Sequence, residues 1–136
     1  MSPEQREIVR LRLEKAKETL EEARVLCNAQ AWNGAVNRLY YACFYAVNAL
    51  LYTQDLHSSK HTGVEGLFNK HFVHPGAVSK EAGRTYKTLF RRRMQFDYED
   101  ILRAEREDVL NWLEGASHFI EELTSIVEQK DQSNLT

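Results

Sequence analysis

Residues 32–53 leave the chain few folding options. On a helix, Ala35, Leu39, Ala42, Ala46 and Leu50 share one face, and Val36, Tyr40, Cys43, Val47 and Leu51 share the next. A helix that is apolar over most of its circumference is stable only when other elements surround it. Tyr40, Tyr41, Phe44 and Tyr45 add bulk, so the segment is expected at the centre of a bundle. With two prolines and six glycines in 136 residues, the covering layer reads as a few long helices rather than short strands joined by turns.

The flanking sequence supplies that layer. Ser2, Pro3 and Gln5 form a helix start with a capping box. Val9, Leu13, Ala16, Leu20, Ala23 and Cys27 then recur at steps of four and three, which predicts an amphipathic helix over about 3–28. A polar loop follows the central helix at about 54–61, then a short helix at about 62–72 with Val64, Leu67, Phe68 and Phe72 inward. His74-Pro75-Gly76 breaks it. Ser79 caps a fourth helix in which Ala82, Tyr86, Leu89, Arg93 and Phe96 keep the rhythm. Arg93 there occupies a position the pattern reserves for an apolar side chain, a local rule-break of the kind that marks function. The last helix is predicted over about 101–129, with Leu102, Val109, Trp112, Ala116, Ile120, Leu123 and Val127 inward, and the polar tail 130–136 is expected to fray. The fold expected is all-α: an antiparallel up-and-down bundle of four long helices plus one short helix, in a single domain over 1–136.

Composition narrows the function classes. A formal net charge of −2 gives no general attraction to polyanions, so nucleic-acid contact would need a local basic patch. Arg91-Arg92-Arg93 is the dense candidate. Cys27 and Cys43 fall in apolar-patterned helix and fit a reduced cytoplasmic protein. The N-terminus has no apolar core of a secretory signal, and Arg38 and Asn48 interrupt the most apolar stretch before it reaches membrane-spanning length.

Phosphate loops, zincin helices, nucleophile elbows and CxxC pairs are absent. Three constellations remain. Arg93 and Asp97 are spaced to pair on one helix face, and Arg91 and Tyr98 share a face two turns apart, about 10 Å along the axis. Guanidinium, carboxylate and phenol groups along one edge suit recognition of a phosphate and a base or ribose. The same residues also suit a purely structural helix end. His57, His61, His71 and His74 cluster in sequence without a zinc-like partner pattern and read as solvated loop residues, with no metal. Asn37-Arg38-Leu39-Tyr40-Tyr41 with Asn48 sets polar groups on the central helix, and those of Arg38 and Asn48 require partners. They either tie to another helix or line a cleft with the Arg91–Tyr98 segment.

Three stretches, taken in order and spacing, resemble the HEPN family. They are Asn37-Arg38-Leu39-Tyr40-Tyr41-Ala42-Cys43-Phe44-Tyr45-Ala46, then His61-Thr62-Gly63-Val64-Glu65-Gly66-Leu67-Phe68 through Lys70-His71-Phe72-Val73, and Leu89-Phe90-Arg91-Arg92-Arg93 ending in Asp97-Tyr98. The likeness is to small stand-alone members that pair with minimal nucleotidyltransferases. It implies a helix bundle that dimerises around a cleft. It also implies either metal-independent RNA cleavage or service as the nucleotidyltransferase's partner in a toxin–antitoxin pair. The family's catalytic signature is Arg, four residues, His, one residue, Tyr. Arg91 and Tyr98 occupy its outer positions, but Phe96 stands at the histidine's place and cannot exchange protons. Arg93 with Asp97-Tyr98 resembles a subgroup pattern instead, and His61 or His118 would have to substitute in space. In some pairs the nucleotidyltransferase adds nucleotides to the motif tyrosine, here Tyr98.

The resemblance therefore implies a nucleotide- or RNA-binding homodimer with a nucleotidyltransferase partner and no cofactor. Arg91 and Arg93 are its candidate catalytic residues; Asp97, Tyr98, Arg38 and Asn48 are its candidate ligand-binding or modified residues. A metal-independent endoribonuclease and a structural helical adaptor without nucleotide affinity are the alternative readings.

Overall fold

The computed structural model describes residues 1–99 and 101–135. Five α-helices account for the architecture, with no strand among the described residues: α1 (Pro3–Asn28), α2 (Trp32–Tyr52), α3 (His61–Phe68), α4 (Lys80–Tyr98) and α5 (Arg106–Leu135). The bundle is antiparallel and up-and-down. α2 is its hub, packing against α1, α3, α4 and α5. The Ser2 capping box forms, Gln5 N donating to Ser2 Oγ at 3.0 Å and Ser2 N to Gln5 Oε1 at 3.4 Å. Short reversals keep the helices antiparallel. Gln30 (φ 59°) and Asp55 (φ 56°) take the left-handed conformation just past α1 and α2. Each reversal closes with a Schellman-type bond, Ala31 N to Leu26 O at 2.8 Å and Leu56 N to Leu51 O at 3.0 Å.

Three boundaries differ from the periodicity reading. α3 begins at His61, which therefore lies on a helix rather than in the loop, and it continues into a π-helical turn over Asn69–Val73. The break after it needs Gly76, whose φ is 86°. α5 starts at Arg106 rather than near 101, because Asn33 claims the preceding backbone: its Nδ2 donates to Leu102 O at 3.0 Å and its Oδ1 accepts from Ala104 N at 2.8 Å. The polar tail is helical as far as Leu135 and is tied to α1 by Arg6 Nε and Asp131 Oδ1 at 2.8 Å; Thr136 lies outside the described residues.

The core runs the length of α2, with Tyr40, Tyr86, Phe68, Phe72 and Phe119 among its largest fully buried side chains. Cys27 and Cys43 are buried and unpaired, and burial pushes both thiols up. No helix among the described residues is long and apolar enough to cross a membrane. One arc of α2 is not fully covered. Asn37, Arg38, Tyr41, Phe44, Tyr45, Asn48 and Tyr52 are all half-buried, and at helical spacing they fill a single stripe about 120° wide.

Candidate functional site

The apolar stripe of α4 delivers an arginine into the bundle. Ala82, Tyr86, Leu89 and Phe90 are buried and Arg93 is next in the rhythm. Its side chain is only 9% exposed. The guanidinium carbon lies 4.7 Å from the centre of the Tyr40 ring and 5.7 Å from that of Tyr41. Nη1 stands 3.6 Å from Asp97 Oδ2, an ion-pair distance beyond hydrogen-bond range. Nε is buried without a hydrogen-bond partner. Burying a charge costs several kcal/mol. Here the aromatic faces contribute roughly 2 kcal/mol for a desolvated pair, and Asp97 supplies the counter-charge.

Asp97 links this arginine to α2 and α1. Its Oδ2 accepts from Asn37 Nδ2 at 3.2 Å. Asn37 Oδ1 accepts from Arg38 Nε and Nη2 at 3.1 and 2.8 Å. Arg38 covers the Tyr41 ring at 5.2 Å and reaches Glu22 of α1 at 3.7 Å. Arg38 thus joins Asp97 through Asn37.

His61, the first residue of α3, completes the cluster. Its Nδ1 is hydrogen-bonded to the Tyr40 hydroxyl at 2.7 Å, and its ring stacks near Phe44 with centroids 4.6 Å apart. Burial first, and the Arg93 charge second, hold the imidazole below the ordinary histidine range, so it is neutral at pH 7. Burial raises the Tyr40 phenol to about 12 against the opposing pull of Tyr86 and Arg93. A neutral imidazole beside a fixed guanidinium can take a proton, and give it back only once protonated, where phosphate charge would be neutralised.

The nominated residues divide into two groups. Arg93, Asp97 and Arg38 come together on the inner side of α4. Arg91 and Tyr98 are exposed, Tyr98 at 76%, and Arg91 is about 200° around the helix from Arg93 at 100° per residue. Met94, also exposed, lies on their outer face. Asn48 lies further along α2 and donates back to Phe44 O at 2.9 Å. His57 and His74 are exposed, and His118 pairs with Glu114 on the outside of α5. Among the described residues no three His, Cys, Asp or Glu side chains gather to hold a metal. Asn37 and Tyr40 belong to the polar stretch of the central helix that the sequence marked, whereas spacing placed His61 in a loop and only the resemblance brought it in. The usable signal was Arg93, whose place in an apolar stripe demanded aromatic and polar partners from another helix.

The all-α bundle is consistent with the helical fold of a HEPN domain. The family model for the HEPN domain matches residues 9–127, and the chain belongs to this family. A UPF0332 protein of Thermotoga maritima is 38% identical over 125 residues, 92% of this chain and 95% of that protein. Two proteins of Methanocaldococcus jannaschii, provisionally named toxins, are 33% and 34% identical. They span 76% and 75% of this chain, and the matched parts are 69% and 76% of their own lengths.

Proposed function

We propose that this protein is the toxin-like half of a cytoplasmic two-component system. In this reading it acts as a homodimer, its partner is a minimal nucleotidyltransferase, and it contacts a nucleotide or RNA at the Arg91–Tyr98 end of α4. The observation that carries the reading is Arg93: a charge held inside an apolar bundle, one N–H without a partner, beside Asp97, the residue that precedes an exposed Tyr98. The names of the archaeal relatives support the toxin-like role. Tyr98 is accessible enough for its phenol to attack the α-phosphorus of a nucleoside triphosphate, releasing pyrophosphate. Co-expression with a minimal nucleotidyltransferase should leave AMP-sized additions on Tyr98 by mass spectrometry, and none on Tyr98→Phe. An unmodified Tyr98 beside an active partner counts against the pairing.

His61 favours a second reading, metal-independent cleavage of RNA, because it places a neutral imidazole at the Tyr40–Arg93 cluster while Phe96 offers no proton chemistry. Purified protein in EDTA should then cleave RNA, and Arg93→Met and His61→Ala should each slow cleavage at least tenfold. Equal cleavage by the double variant removes this reading.

A further inference from the structure

We infer that the half-buried stripe of α2 is a track for single-stranded RNA, an inference that rests on the RNA-contacting reading above and extends it beyond the Arg91–Tyr98 end. Each tyrosine of the stripe has a cation over its ring. Arg38 lies 5.2 Å from the centre of Tyr41, Lys15 4.8 Å from that of Tyr45, and Arg12 4.8 Å from that of Tyr52. Tyr41 and Tyr52 are separated by about 16 Å along the axis at 1.5 Å per residue. The floor is aromatic and the edge is basic, the combination that holds single strands without sequence readout: bases stack on rings while phosphates meet cations.

Two orphaned donors mark the ends. Arg12 Nη1 and Arg93 Nε are buried without hydrogen-bond partners. The charged contacts along the stripe are Arg12, Lys15, Arg38 and Arg93 against Glu22 and Asp97. The excess is therefore positive on a molecule whose formal net charge is −2. That excess favours a polyanion over a second copy of the chain, because a two-fold interface would set the same cations against each other.

The test is fluorescence anisotropy of the full chain with a short fluorescein-labelled oligouridylate. Tyr45→Ala should weaken binding about five- to a hundredfold, the cost of one lost base stack. Lys15 is exposed, so Lys15→Glu probes the track without disturbing the core; it should weaken binding about tenfold and make the salt dependence shallower by about one phosphate contact. Lys87→Glu makes the same charge change at an exposed site on α4 and should leave affinity unchanged. Equal losses in the two lysine variants overturn the track. A Tyr45→Ala variant that turns a dimer into a monomer by sedimentation, with RNA affinity intact, assigns the face to a second copy. Loss on Arg91→Ala but not on Lys15→Glu sinks the track and spares the proposed function, whereas no binding by the parent protein sinks both.

Discussion

Arg93 would be an odd choice for stability alone. A buried ion pair usually contributes little against an apolar side chain of similar volume, while removing one partner and leaving the other is costly. Asp97 retains Asn37 and is itself exposed, so it tolerates the loss. Arg93→Met is therefore expected to unfold within about 1 kcal/mol of the parent in urea while losing nucleotide or RNA affinity. A loss above roughly 3 kcal/mol, the scale of a broken buried pair, would make Arg93 a structural residue. The same variant tests His61. Its imidazole is held low by burial and then by Arg93, so NMR titration of the His61 ring should show a midpoint below the ordinary 6.5, and Arg93→Met should move it upward. The linkage sign follows: with the folded value below the unfolded one, His61 contributes stability above pH 6.5 that is lost as pH falls through the folded value. A His61 midpoint indifferent to Arg93→Met would place the two groups too far apart to act together.

At the level of elements, what positions His61 is the approach of α3 to the loop before it. A Cβ on Gly63 would stand 2.9 Å from Ser58 Cβ and closer still to its Oγ, which accepts from Lys60 N at 3.2 Å. Alanine gains about 1 kcal/mol of helix propensity over glycine, but the clash costs about 1–3 kcal/mol. Gly63→Ala should therefore lower the urea midpoint, with Ser58→Gly in the same chain restoring it; a Gly63→Ala protein as stable as the parent would mean the loop yields freely. This junction shows where sequence reading stops. The stripes of α1 and α2 were legible because each helix carries its own period, and Arg93 was legible as a misfit within one. His61 was not legible from spacing, which put it in a solvated loop and left it to the resemblance, because the groups that remove it from solvent, Tyr40, Phe44 and Arg93, lie on other helices. The late start of α5 was hidden for the same reason, since Asn33 acts across 69 residues on Leu102 O. Local pattern reports the element, and long-range polar bonds set where it begins.

Across the whole molecule the decisive quantity is where charge sits, not its sum. A formal net charge of −2 repels RNA at long range, so association gains nothing from steering and affinity must come from the few cations in contact. That sets a quantitative limit. For single strands the logarithm of affinity falls with the logarithm of salt by about 0.7 for each phosphate neutralised. Arg12, Lys15, Arg38 and Arg93 over the α2 rings then predict a slope near −3, with the residual affinity at high salt carried by base stacking, which salt does not screen. Anisotropy titrations from low to moderate salt should give that shallow slope and a high-salt plateau removed by Tyr45→Ala. A slope steeper than about −5 would require several more phosphate contacts than four cations can make. The binding surface would then be spread over basic residues outside the track, and the uneven placement of charge around α2 would have no part in it.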